Sequence, residues 1–209
     1  MKSECIIQSV NKSKEFALME QSRRLRKKDN THRAIMHSAK MLFEKNGLGN
    51  VTVEQIAEAA DVSRSTFFTH FTSVDDLLTQ IANEEINDIL ESATEEGSGE
   101  AEINRIFHQL AKDTCPYPYL MSQLFVRSIL SPERSSAADV LSIITNEIES
   151  SGYEALKKQF SSTDISSFIF GAYFGLIFQK FIEKEPFDGP AEIDSKINNF
   201  INFLKTQEE

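Results

Sequence analysis

Apolar residues recur three and four positions apart along almost the whole chain, a rhythm that fits one face of an α-helix and not the two-residue alternation of a strand. Ile35, Ala39, Leu42 and Phe43 stand at i, i+4, i+7 and i+8, and the pattern stops at Asn46-Gly47, where glycine supplies the left-handed residue that ends helices. This predicts a first helix over about 30–46. A second opens at Thr52, with Gln55 three residues on to complete a capping box and Val51 and Ile56 flanking it as a hydrophobic staple. Its apolar face is Val53, Ile56, Ala57 and Ala60. Ser63 caps a third helix almost at once, Val62 and Phe67 repeat the staple spacing, and Asp61 tolerates the left-handed turn between them. Ser73 opens a fourth over about 73–95, with Asp75 and Asp76 at the positive end of its dipole and apolar positions from Leu77 to Leu90.

A break follows at Glu95-Glu96-Gly97-Ser98-Gly99. Beyond it the punctuation predicts helices at about 101–113, 117–130, 134–150, 152–160, 163–184 and 190–206, divided by Pro116/Pro118, Pro132, Gly152, Ser161-Ser162 and Pro186/Gly189/Pro190. Before residue 30 the chain is polar and basic, with Phe16, Leu18 and Met19 leaving room for a short extra helix. The fold class is therefore all-α. Its expected parts are a basic arm over 1–28, a three-helix helix-turn-helix domain over 29–76 and a larger helical domain over 77–209.

The 209 residues carry a formal charge of -10, which excludes a uniformly basic nucleic-acid coat. The charge is unevenly spread. Residues 1–80 carry +2 and residues 81–209 carry -12, and six Lys or Arg fall between positions 23 and 33. Cys5 and Cys115 are too few for a disulfide framework and suit reduced thiols of the cytoplasm. Cys5-Ile6-Ile7 is broken by Gln8 and Ser9, which does not resemble a secretory signal. The apolar stretch Phe168–Phe178 is shorter than the roughly 20 residues that span a bilayer, so no membrane partner is expected.

The segments 52–60 and 63–70 have the lengths and the tight turn of a helix-turn-helix unit. Phe67 and Phe71, four apart, supply a core face for the second helix. The opposite face carries Arg64, Ser65, Thr66, Thr69 and His70, donors small enough to enter a major groove about 12 Å wide. Capped helix pairs also occur in helical proteins that never touch DNA, and spacing alone leaves both readings open.

The run from Ile35 to Leu78 narrows the choice. Ala39-x-x-Leu42-Phe43-x-x-x-Gly47, Thr52-Val53-x-x-Ile56-Ala57-x-x-Ala60, Val62-Ser63-Arg64-x-Thr66-Phe67-x-x-His70-Phe71 and Ser73-x-x-x-Leu77-Leu78 together resemble the DNA-binding domain of the TetR (TetR/AcrR) family of bacterial regulators. The resemblance covers about 45 residues; the rest is similar to the family only in length and helical content. It implies a homodimer on double-stranded, palindromic operator DNA, most often a repressor released by a small-molecule effector. The alternative is a helical ligand-binding or protein-interaction module whose helix-turn-helix has lost DNA binding. Carried over by position, Arg64, Ser65, Thr66 and Thr69 match places that face base edges, with Arg64 suited to guanine. Ser63 caps that helix, and Thr52 and His70 match phosphate-contact positions. Phe68 stands where a phosphate-binding Tyr is common and Val74 where a Lys often begins the fourth helix, departures that remove backbone contacts without altering readout. Arg23, Arg24, Lys27 and Lys28 are expected to compensate by reaching phosphates or a minor groove, unless the arm is simply a solvated tail.

By the same resemblance, the last two long helices pair with their mates in a four-helix dimer interface; the alternative is that their stripes belong to an intramolecular core. Phe168, Ala172, Gly175 and Gln179, with Gly171 beside them, form one stripe, and Ile193, Ile197, Phe200, Ile201 and Leu204 form the other. Candidate pocket residues are Phe107, Tyr117, Phe125, Tyr173 and Phe174 as aromatic wall, with Tyr119 and Phe178 also considered. His108, Gln123 and Arg127 are polar anchors. The fourth helix would transmit occupancy by changing the spacing of the recognition helices from the roughly 34 Å of one DNA turn. No cofactor is expected. Gly-rich phosphate loops and His-Glu-x-x-His are absent from the sequence, so no enzyme is expected, and His108, Asp113 and Cys115 match no zinc spacing.

Overall fold

The computed structural model describes residues 2–92, 99–130, 136–150 and 153–206, with side chains from Met19 onward except at 92, 136, 137 and 205. The breaks expected at 95–98, Pro132 and Gly152 lie outside the described residues. The helices are α1 (Lys2–Asn46), α2 (Val53–Ala59), α3 (Arg64–His70), α4 (Val74–Ser92), α5 (Glu100–Thr114), α6 (Pro118–Leu130), α7 (Ser136–Ser150), α8 (Glu154–Lys157), α9 (Ser162–Glu183) and α10 (Pro190–Thr206), with a 3₁₀ turn at Leu48–Asn50.

The largest departure from expectation is α1, which begins at Lys2 and not near residue 30, running straight through the 28/29 boundary. The reason is local: the chain has no glycine or proline before Gly47, and Glu, Lys, Arg, Leu and Met are good helix formers. Arg24 bonds Glu20 at 2.6 Å across one turn, and residues 19–30 are all exposed. The basic segment is thus part of a helix that stands clear of the core. Residues 2–30 would extend about 42 Å at 1.5 Å per residue.

Two apolar cores organise the rest. The first gathers Ile35, Met36, Ala39 and Phe43 of α1, Ile56 of α2, Phe67 of α3 with Phe71, and Leu77, Leu78 and Ile81 of α4, and it also takes Leu120 and Leu124 from α6. The second is built on α5, α7, α9 and α10, with Ile89 from the far end of α4. Helices α4 and α6 therefore serve both cores, and packing does not divide cleanly at residue 76.

The docking of α6 is specific. Glu44 of α1 accepts hydrogen bonds from the Tyr119 and Leu120 backbone N–H groups at 3.2 and 2.8 Å, satisfying donors that the start of a helix leaves free. Gly47 ends α1 at φ 81°, a backbone conformation that strains an L side chain, while Tyr119 and Gln123 lie at ordinary contact distance from it. α8 is shorter than expected, a single turn entered from buried Tyr153 at φ 59°. α9 is long and apolar enough to cross a membrane by length and composition. Here Ile165, Ile169, Tyr173 and Ile177 bury one side of it in the second core.

Candidate nucleic-acid interface and interior cavity

The helix-turn-helix is assembled by its caps. Thr52 accepts from the Gln55 N–H at 3.3 Å and Gln55 accepts from the Thr52 N–H at 2.9 Å, closing the capping box. Asp61 turns the chain at φ 52°, and Ser63 Oγ then accepts from the Thr66 N–H at 3.0 Å. The Ser65 and Thr66 hydroxyls lie 2.8 Å from the same Ser63 oxygen, so three small polar groups form one cluster at the start of α3. Phe67 and Phe71 are buried, their rings 5.6 Å apart, and they anchor α3 from one side only.

That anchoring leaves Arg64, Ser65, Phe68 and Thr69 exposed, with Thr66 half-buried. Thr69 donates to the Ser65 carbonyl at 3.0 Å. Arg64 pairs with Glu54 of α2 at 2.8 Å and lies over the Phe68 ring at 5.2 Å. Both members of the ion pair are exposed, so the pair contributes about 0–1 kcal/mol and is readily exchanged for another acceptor. Phe68, in place of a phosphate-binding Tyr, gives Arg64 a surface to lie on. Val74, in place of a Lys, is half-buried against the first core.

His70 differs from its expected outward role. It is half-buried with its ring 5.7 Å from His32, which itself stacks on Phe71 at 4.6 Å, and its Nδ1 is buried without a partner. Burial, then the neighbouring His32 and Lys28, hold it below the ordinary histidine range, so it is neutral at pH 7. Lys28 of α1 thus acts on the carboxyl-terminal end of α3, and Arg23, Arg24 and Lys27 lie farther along the same exposed helix.

A cavity of about 90 Å³ lies among α4, α5, α6, α7 and α9. Phe125 and Phe174 stack face to face on one wall at 3.5 Å and 16°, with Tyr173 beside them. The Tyr173 hydroxyl donates to the Leu110 carbonyl at 3.0 Å and also pairs with Thr114. Of the polar anchors expected from sequence, none lines this space. His108 pairs with Asp194 of α10 at 2.7 Å, Gln123 accepts from the Leu48 N–H at 3.1 Å, and Arg127 pairs with Asp75 at 3.0 Å. Phe107 lies in the second core, and Tyr117 reaches His37 and packs on the first core.

The charged groups on the wall are instead Glu85 and Asp113, neither of them among the pocket residues expected from sequence. A signal is present: Glu85 sits four residues after Ile81 and four before Ile89, a charge on an apolar stripe. Lys40 of α1 bonds Glu85 at 2.7 Å and Glu84 at 3.2 Å, tying α1 to α4. Burial pulls Glu85 towards protonation while Lys40 opposes it, and the two carboxylates, outweighing the cost of burial, keep Lys40 charged. Asp113 receives hydrogen bonds from Gln109 at 2.9 and 3.0 Å, and among the described residues no cation stands within ion-pair reach. Burial, with Glu85 and Asp88 adding to it, pushes its carboxyl up to about 7. Cys115 is pushed up to about 11 by burial and by Asp194 and Glu192, so it is a protonated thiol and a poor nucleophile.

The two stripes expected at a dimer interface face different ways. On α9, Phe168, Gly175 and Gln179 are exposed and Ala172 is half-buried; Gly171, Phe178 and Ile182 extend the same outward face. On α10, Ile193, Ile197 and Ile201 are turned into this chain's own core. Phe200 and Leu204 are half-buried, and the outward apolar residue is Phe203.

A short recognition helix, capped by Ser63, anchored on one side and polar on the other, defines a helix-turn-helix DNA-binding protein. Residues 35–81 match the model of the bacterial regulatory proteins of the tetR family. Among solved structures, the chain is similar to a TetR/AcrR-family transcriptional regulator from Aquifex aeolicus VF5 (18% identity, TM-score 0.59, 83% of this chain and 99% of that one). It is also similar to the fatty acid degradation regulator FadR from Bacillus halodurans (15%, 0.59, 80% and 93%). A third is a transcriptional regulator from Rhodococcus sp. Rha1 (16%, 0.59, 83% and 95%). At these identities the structural likeness speaks to the fold. Among curated proteins none matches the sequence. Residues 35–81 thus carry the DNA-binding domain described for the bacterial regulatory proteins of the tetR family, and the solved structures share the fold of most of the chain.

Proposed function

We propose that this regulator is a cytoplasmic homodimeric repressor that binds a palindromic operator through α3 and leaves it when a small molecule fills the interior cavity. The observation that carries the reading is shared structure: α4 and α6 line the cavity with Leu124, Met121 and Glu85 and also build the core under the recognition helix. Lys40 and Glu44 of α1 grip the same two helices. A ligand that favours one separation of these helices over another shifts the pose of α3 by its difference in affinity. The outward face of α9, with Phe168, Gly171, Gly175, Phe178 and Ile182 spaced as one helical stripe and small residues at its middle, is the surface assigned to the second copy.

Selection of bound sequences from random duplex DNA tests the proposal. An enriched palindrome with half-sites about one helical turn apart supports it; no enrichment favours a helix-turn-helix that has lost its DNA. On the selected site, Arg64→Ala is expected to cost about 1–3 kcal/mol and to relax preference at one base pair, read by competition with single-base variants. Removing residues 2–28 is expected to flatten the plot of log affinity against log salt by about 0.9 for each phosphate that the extension neutralises. An unchanged slope would make the helical extension a bystander.

A further inference from the structure

We propose that the cavity selects a small organic cation, an apolar body of about benzene size bearing a protonated amine, whose charge sits between Asp113 and Glu85. The inference rests on the reading of this cavity as the effector site and adds the chemistry of the effector. Among the described residues, the charged groups lining the space are these two carboxylates, and no Lys, Arg or His joins them. Asp113 is bonded by an amide alone, and Glu85 shares its one cation, Lys40, with Glu84. An entering anion would meet the Glu85 carboxylate and, as pH rises past about 7, a charged Asp113 as well. An entering neutral molecule would leave both carboxylates as they are. A cation supplies what the wall lacks, and the stacked Phe125 and Phe174 offer an aromatic surface for its body or its charge.

The same placement links binding to release. An ammonium beside Glu85 competes with Lys40, which lies 2.7 Å from that carboxylate, and so loosens α4 from α1. Binding and signalling then share one charge.

The test uses the full chain and three probes of one shape: benzylammonium, benzyl alcohol and benzoate. Binding is followed by calorimetry without DNA, and operator release separately by fluorescence anisotropy. Benzylammonium is expected to bind and the other two to bind at least about tenfold more weakly, with Asp113→Asn lowering benzylammonium affinity about tenfold or more, as the loss of a charge-assisted hydrogen bond dictates. Affinity should rise between pH 6 and 8, where the amine stays protonated while Asp113, at about 7, loses its proton. Asp113→Asn should also remain folded and melt higher than the unaltered protein. The raised carboxyl costs stability progressively as pH climbs from the usual carboxylate range to about 7, so the gain should grow over that span and level off above it. No benzylammonium binding, equal binding of the alcohol, or an Asp113→Asn variant with unchanged affinity overturns the cation assignment. Benzylammonium binding that leaves the operator complex intact upholds it and overturns ligand-driven release instead.

Discussion

Replacing Phe67 by alanine is expected to cost about 3–5 kcal/mol, the range for deleting a fully buried phenyl ring. Phe67 is wholly enclosed, packs at 5.6 Å from Phe71 and is the one residue of α3 in the first core's buried set. Against a total stability of about 5–15 kcal/mol for a domain, the loss would unfold the helix-turn-helix in much of the population and abolish operator binding. Its neighbour is the control. Phe68 is 43% exposed, and Phe68→Ala should change stability by less than about 1 kcal/mol. Urea titration followed by circular dichroism measures both; a small loss for Phe67→Ala would mean that α3 is held by something other than this ring.

The second large effect is expected from the outward face of α9. Phe178 and Ile182, one turn apart and 45% and 80% exposed, contribute little to the isolated chain, so replacing both by glutamate should leave its fold intact. If this face meets a second copy, four buried carboxylates at the interface would drive the dimer apart. Loss of the linked second half-site would then lower operator affinity by about 10²–10⁴-fold. Sedimentation velocity and anisotropy on the same preparation decide the matter. A variant that stays dimeric and binds the operator normally would place the dimer elsewhere.

The parts of the fold legible in the sequence are those held by neighbours within about four residues. Thr52 with Gln55, Ser63 with Thr66, Ser73 with Asp76 and the left-handed Asp61 follow from spacing, and each is bonded or turned as that spacing demands. The amino-terminal extension of α1 escapes periodicity for a related reason. Residues 19–30 are exposed, so hydrophobic spacing is silent there, whereas helix propensity and the absence of any breaker are enough to form the helix.

The candidate site is less legible because its polar residues are defined by distant partners. His108, Gln123 and Arg127 each carry the chemistry of a pocket anchor, but their bonds reach Asp194, Leu48 and Asp75, which are 86, 75 and 52 residues away. Those bonds draw them out of the cavity. Glu85 and Asp113 become its charged wall because α4 and α5 present them to a space that, among the described residues, no basic side chain lines. The same holds for α10, whose apolar stripe is plain in the sequence but whose partner is its own chain.

By itself, then, the order of residues determined the helices, their caps, the helix-turn-helix and the tetR-family likeness of residues 35–81, since each rests on short-range sterics and hydrogen bonding that travel with the local sequence. The tertiary structure decided which face each helix buries, that α4 and α6 belong to two cores at once, and which charges are left facing an interior space. Those outcomes depend on which side chains compete for the same partner across the whole fold, and that competition is settled only when the chain is packed.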